Sequence, residues 1–296
     1  MEKPAKNDLK KMEKYAILQV EGGLGKNVMA TAVVRSIADA HPERRIVVVT
    51  AYPDIWDCNP RIYRAISYSE MSYFHQDYVQ GKDSIFFLHD PYRQTDYINR
   101  TKHLTETWCE LCGVEWSGEK PELYFTRLES EFVESIISKD RPILLMHPFG
   151  GFSGKYSWAR DLHPKVAQDL ADHFSSEYRV LQARREDQIL LERVETLTMN
   201  PRQLALAMLQ SDKRILIDSY LQHVSAALGL KSTVVWIGNS PKTLGYQTND
   251  NICFEFERGS IRNSAYEPFD ILGNPIQVAT PPDIFIEKKK IIDSLS

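Results

Sequence analysis

Cysteine is scarce: the 296-residue chain has four, Cys58, Cys109, Cys112 and Cys253. That is too few for a disulfide framework at this length and agrees with a reducing compartment. "CELC" has CxxC spacing, but it ends a run of helical periodicity and has no second Cys/His pair nearby. It is therefore read as two helix cysteines, and no metal site is expected. Nowhere do the ~20 apolar residues of a membrane span run uninterrupted. The opening "MEKPAKNDLKKMEK" lacks the apolar centre of a secretory signal, so a cytoplasmic protein with no membrane span is expected. An excess of basic charge is missing as well. The net charge of -4 argues against a wholly basic nucleic-acid binder and leaves only a local basic groove open. Short-period repeats and low-complexity tracts are absent.

What remains is ordinary for a globular chain, with 43% hydrophobic and 26% charged residues. At roughly 150 residues per domain, two domains are the natural division. Strand-like runs alternate with helix-like ones. "YAILQV" leads into a helix whose Val28, Met29, Ala32, Val33 and Ile37 share one face. "RIVVVTA" and "SIFFLH" follow, and a helix from Asp96 to Cys112 closes the first half. After a linker near residues 127–141 the pattern restarts. Here the strands are "ILLMHP", "YRVLQA", "RILID" and "STVVWIG"; the helices are "HPKVAQDLADHF", "NPRQLALAMLQ" and "YLQHVSAALG". The stretch Asn249 to Thr280 reads as irregular, and "PPDIFIEKKKIIDSLS" as a last helix opened by proline. Solid apolar strands separated by helices predict parallel sheets covered on both sides.

Ligands of such sheets lie beyond the carboxyl ends of the strands, so the strand-to-helix turns are the candidates. In "VEGGLGKNVMATAVVRSI", Gly22, Gly23 and Gly25 allow a sharp turn and close approach of a ligand, and the following helix offers unpaired N–H groups. The spacing matches neither GxxxxGK[ST] nor GxGxxG, so the turn is an anion or sugar site of another kind, or a tight turn alone. "HPFGGFSGKYSWAR" carries Lys155, Ser157 and Arg160, residues suited to a pyrophosphate, or it is a loop packed by Trp158. In "IDSYLQHVSAALG", Asp218 ends a strand, Ser219 is placed to cap the helix and His223 follows about one turn in; a capped helix with a packed histidine is the alternative. "LHDPYRQ" brings Asp90, Tyr92 and Arg93 to the same crevice, either with Asp90 as a general base or as a turn-starting Asp-Pro.

Together these elements resemble glycosyltransferase family 9, the family of the lipopolysaccharide heptosyltransferases. The likeness spans about Tyr15 to the last helix. It rests on "GLGKNVMATAVVRSI", on "HPFGGFSGKYSWARDLHPKVAQDLADHF" and most specifically on "IDSYLQHVSAALGLKSTVVWIG". The resemblance implies the GT-B architecture, two Rossmann-like domains facing across a cleft. Residues 1–135 would form the acceptor-side domain, 136–280 the nucleotide-sugar domain, and 281–296 a helix packing back towards the first. It also implies inverting, metal-independent transfer from a nucleotide-diphosphate sugar to an acceptor hydroxyl, with no cofactor beyond the donor. Lys155, Ser157, Arg160, Asp218, Ser219 and His223 would bind the donor; Gly22, Gly23, Gly25 and Asn27 would form the acceptor-side loop.

Three positions depart from the family pattern. The aspartate after the opening glycine, the family's general base, is Lys26; the glycine after Asp-Ser is Tyr220; the proline of the first helix is Ala32. An ammonium accepts no proton unless burial removes its own. Asp90 and Glu21 are therefore the candidate bases, with Lys26 holding charge on donor or acceptor. A carbohydrate or glycolipid is the expected acceptor. The alternatives are a non-catalytic nucleotide-sugar binder, a glycosyltransferase acting on modified nucleobases of a nucleic acid, and a nucleotide-sugar epimerase on the same scaffold.

Overall fold

The computed structural model describes residues 12–150, 156–157, 160–253 and 288–295. In the first half these form β1 (Lys14–Val20), α1 (Leu24–Ala40), β2 (Arg45–Thr50), β3 (Ile62–Ser67), α2 (Phe74–Tyr78), β4 (Asp83–Phe87), α3 (Thr95–Ile98) and α4 (Leu104–Leu111). Helix α5 (Arg127–Ile136) leads into the second half. That half holds β5 (Ile143–His147), α6 (Pro164–Phe174), β6 (Arg179–Ala183), β7 (Glu195–Leu197), α7 (Pro201–Gln210), β8 (Lys213–Ile217), α8 (Tyr220–Ala227), β9 (Thr233–Trp236), α9 (Pro241–Leu244), β10 (Asp250–Cys253) and α10 (Lys288–Leu295).

Two sheets result, ordered β3-β2-β1-β4 and β10-β9-β8-β5-β6-β7. Every ladder is parallel. The pleat sends Ala16, Leu18 and Val20 of β1 into the main core, while Tyr15 and Ile17 face a smaller cluster with Val47, Val49 and Tyr78. Above the first face, Val28, Met29, Val33 and Ile37 of α1 are fully buried, as their helical spacing requires. The expected two α/β halves are thus present. The boundary expected at 135/136 falls in the last turn of α5.

Several local expectations are corrected. The helix expected from Asp96 to Cys112 is broken: Arg100 takes φ +56 between α3 and α4, and the Nδ1 of His103 accepts from Thr105 N to start α4. The break lets the Arg100 guanidinium donate to Gly238 O, 2.6 Å away in the second half. Strands β3, β7 and β10 escape the apolar-run criterion, being short or half exposed. The stretch taken as a linker is largely α5, which packs on α7. The last helix packs on the second sheet, beside β9, β10 and α6, rather than back onto the first half. Its Ile291 and Leu295 join the core of Val166 and Val235, and Lys288 bonds Asp169 at 3.1 Å. Residues 281–287, where that helix was expected to open, lie outside the described residues.

The halves meet along α1 and α8. The α1–α8 contact is so close at Gly25 that a Cβ there would stand 2.9 Å from His223 Cδ2 and 3.6 Å from Tyr220 Cα. One apolar cluster accordingly runs from Leu18 and Val33 through Tyr220 and Val224 to Leu145 and Leu216.

Candidate functional site

Each sheet changes direction once. In the first, β2 and β3 lie on one side of β1 and β4 on the other; in the second, β6 and β7 lie on one side of β5, and β8 to β10 on the other. Beyond the carboxyl ends of the strands, such switch points open a crevice because the flanking loops leave in opposite directions. The β1 and β4 turns frame the first crevice, the β5 and β8 turns the second.

In the first crevice, Gly22 turns the chain in the left-handed region, φ +94, and a Cβ there would sit 3.2 Å from Lys26 Cδ. Glycine thus makes room for the stem of Lys26. The Lys26 side chain is 6% exposed, and its Nζ donates to Asp90 Oδ1 at 2.8 Å. The same Nζ lies over the rings of Tyr92 and Trp108, 5.1 and 5.2 Å from their centroids. A carboxylate and two aromatic faces are the partners of a cation. Asp90 also accepts from Tyr92 N at 3.2 Å, and its Oδ2 stands 3.8 Å from Arg93 Nε.

The other members of the opening turn serve different ends. Gly23 is the N-cap of α1, and its carbonyl accepts from both the backbone N and the side-chain amide of Asn27. The Asn27 carbonyl oxygen accepts from Thr50 Oγ1 at 2.5 Å and Trp56 Nε1 at 3.2 Å, so its fully buried amide is committed inside the first half. Glu21 is exposed and accepts from Gln19 on the sheet face opposite α1. Gly25 faces His223 rather than the crevice.

In the second crevice, the β5 loop is braced by Asp161, which is 1% exposed. Its two oxygens accept from Gly150 N at 2.8 Å and Ser157 N at 2.9 Å, tying together the ends of the turn. Burial pushes the Asp161 carboxyl up, and these two N–H groups draw it back. Gly150 lies so near the end of β8 that a Cβ would be 3.3 Å from Ile217 Cδ1, 3.2 Å from Ser219 Oγ and 3.4 Å from Arg160 Cδ. Arg160, Ser219 and the β5 turn are therefore in one place. The Nε of Arg160 is buried with no hydrogen-bond partner among the described residues. Ser219 is the N-cap of α8, yet contrary to expectation its side chain makes no capping bond. Lys155 lies outside the described residues.

Asp218 accepts from the Asn239 amide. Burial raises its carboxyl pKa above the usual range; the Arg160 charge and the Asn239 amide oppose that shift. His223 is buried, its Nδ1 2.9 Å from Tyr246 Oη. Burial, and secondarily the charge of His103, pull it down to about 3, so it is neutral at ordinary pH. Charges of the second crevice reach the first: the Tyr92 phenol, raised chiefly by burial, is raised further by Asp218 and lowered by Arg160.

Sequence reasoning missed Asp161, Trp108, Asn239 and Tyr246. Asn239 follows the carboxyl end of β9 and was open to the strand-end rule. Asp161 lies one residue past the quoted turn. No sequence signal marks Trp108 or Tyr246, whose roles depend on contacts with other elements.

No protein-family model matches the chain, and no curated protein matches it in sequence. Solved structures do resemble it. A family 9 glycosyl transferase from Veillonella parvula DSM 2008 superposes with a TM-score of 0.70 at 14% identity, over 95% of this chain and 96% of that one. The E. coli ADP-heptose lps heptosyltransferase II gives 0.65 at 13%, over 95% and 100%. The E. coli heptosyltransferase WaaC with ADP gives 0.58 at 11%, over 86% and 95%. The likeness is one of fold: two Rossmann-like units, arranged as in the solved family 9 glycosyl transferase.

Proposed function

We propose that this protein is a glycosyltransferase that moves a sugar from a nucleoside-diphosphate donor to an acceptor hydroxyl. One observation carries the reading. Tyr92, beside Asp90 and Lys26 at one switch point, is reached by the charges of Asp218 and Arg160 at the other, and the buried Nε of Arg160 has no hydrogen-bond partner among the described residues.

Asp90 is the general base. Its Oδ1 is occupied by Lys26 and the Tyr92 N–H, whereas among the described residues Oδ2 has only the distant Arg93. Oδ2 takes the proton of the acceptor hydroxyl as the acceptor oxygen attacks the anomeric carbon. The bond from that carbon to the diphosphate oxygen breaks, its electron pair leaves with the diphosphate, and the configuration inverts. Arg160, the Ser219 hydroxyl and Lys26 stabilise the departing charge, the most effective place for fixed donors in a dry crevice. Asp161 holds the β5 turn in register for this contact. Glu21, exposed and bonded to Gln19, is the weaker base candidate. The reaction needs no resident metal or cofactor. The acceptor is a carbohydrate or glycolipid, and the protein works in the cytoplasm.

A thermal-shift panel of nucleoside diphosphates and their sugars tests the donor site, since a ligand at 100 times its Kd stabilises by about 2.7 kcal/mol. ADP and ADP-sugars come first, because one similar structure is of an ADP-heptose heptosyltransferase and another is of a heptosyltransferase with ADP. A flat panel sinks the reading. Binding with neither donor hydrolysis nor transfer points to a non-catalytic binder, and acceptor binding that weakens steeply with salt to a nucleic-acid acceptor.

A further inference from the structure

A cavity of about 610 Å³ lies between the two halves, within the ~300–1,000 Å³ typical of small-molecule sites. It is separate from the crevice just described. Leu24 lines it, and Lys26, two residues on, is about 200° further round α1 at ~100° per residue. The α1–α8 contact at Gly25 stands between them. The walls are apolar: Leu24, Tyr52, Pro53, Leu128, Phe132 and Leu206. They come from the first half, from α5 and from α7, so an occupant touches both halves and the helix joining them. Leu128 and Phe132, one turn apart on α5, are 71% and 51% exposed.

The polar groups in the wall decide the charge of the occupant. Arg202, the one cation in the lining, is spent. Its Nε and Nη2 donate to the Glu129 carboxylate at 2.6 and 3.0 Å, Nη2 also to Tyr124 O at 2.7 Å, and Nη1 to Asp54 O at 3.1 Å. The start of α7 is largely satisfied from within: Asn200 and Gln203 cap each other reciprocally, and Pro201 has no N–H. Among these groups no cation is left to hold an anion; the donors that remain, such as the side-chain amide nitrogens of Asn200 and Gln203, whose oxygens alone are used in the cap, are neutral. The side chains of Asp54 and Asp57, both in the lining, have no hydrogen bond or ion pair among the described residues. Their charge is available.

We propose that this cavity is a second ligand site, for a small molecule that joins an apolar or aromatic body to one ammonium group, and that the occupant bridges the two halves. The apolar body covers Leu128 and Phe132, and the ammonium meets Asp54 and Asp57.

Calorimetric titration of the full chain with phenylpropylamine, phenylpropanol and phenylpropionate tests this. The amine binds, the alcohol binds about tenfold more weakly and the carboxylate does not bind. Asp54→Asn with Asp57→Asn weakens the amine about tenfold or more; the Asp54 backbone carbonyl that holds Arg202 is kept, and circular dichroism checks the fold. Equal binding of amine and carboxylate, no binding of the amine, or amine binding indifferent to the double variant overturns the proposal. So does a concentration-dependent dimer in sedimentation that Phe132→Glu abolishes, with no amine bound, because the face then belongs to a second copy. Nucleotide binding in the other crevice is measured on the same variants and is unchanged.

Discussion

Lys26 Nζ and Asp90 Oδ1 stand 2.8 Å apart although they lie 64 positions apart in the chain. The pair spans the switch point between β1 and β4, so the lysine that stands where a base was expected is bonded to the carboxylate proposed above as the base. Asp90→Asn keeps an N-cap-competent side chain for the turn at Pro91, so the fold should survive. Transfer should fall roughly 10²- to 10⁴-fold, the usual worth of a general base. Lys26→Met, which keeps the apolar stem, should slow transfer while leaving far-ultraviolet dichroism unchanged. Turnover assays on both variants check this; normal rates in Asp90→Asn would remove it as the base.

Asp161→Asn tests the brace on the β5 turn. An amide cannot accept from both Gly150 N and Ser157 N, so one buried N–H loses its partner, at about 1–3 kcal/mol. The expected outcome is a modest fall in Tm and a rise of about tenfold in the donor KM. A Tm loss with unaltered donor KM would leave Asp161 a purely structural role.

Gly25→Ala introduces a methyl 2.9 Å from His223 Cδ2, against a ring held by Tyr246. Overpacking of this kind costs about 1–3 kcal/mol. The cost should shrink in a His223→Ala background, where the methyl finds room. A thermodynamic cycle over the four proteins measures the coupling, and additive effects would mean that α1 and α8 do not press on each other here.

Acid should loosen the contact between the halves. Burial pulls His223 to about 3 and His103 to about 4, whereas both titrate near 6.5 when unfolded. Between those values the unfolded chain binds more protons, so stability is full above about pH 6.5 and declines as pH falls through this window. Glu129 acts lower down. Its pairing with Arg202 holds its carboxyl at about 2, and that contribution is present above about pH 4.5 and lost as pH falls towards 2. Thermal melts from pH 7 to 5 should show a falling Tm, and His103→Gln with His223→Gln should flatten the slope.

Much of the fold was legible in the sequence because apolar periodicity is a property of the local chain. The buried face of α1 and the central strands of both sheets follow from spacing alone, and the strand-end rule pointed to the turns at Lys26, Asp90, Arg160 and Asp218. The broken helix at Arg100 was not legible, since the left-handed residue is held by Gly238 in the other half. The face taken by α10 was equally hidden: an apolar pair such as Ile291 and Leu295 says that a helix is buried, not against which sheet.

The sequence by itself determined two runs of alternating strand and helix, parallel sheets, and a lysine where a carboxylate was expected. Only the tertiary structure decided that this lysine meets Asp90, that Asn27 turns inward, and that Gly25 abuts His223. Those pairings depend on strand order and on the packing of α1 against α8. Both are settled by burial of surface between distant parts of the chain, which no local pattern encodes.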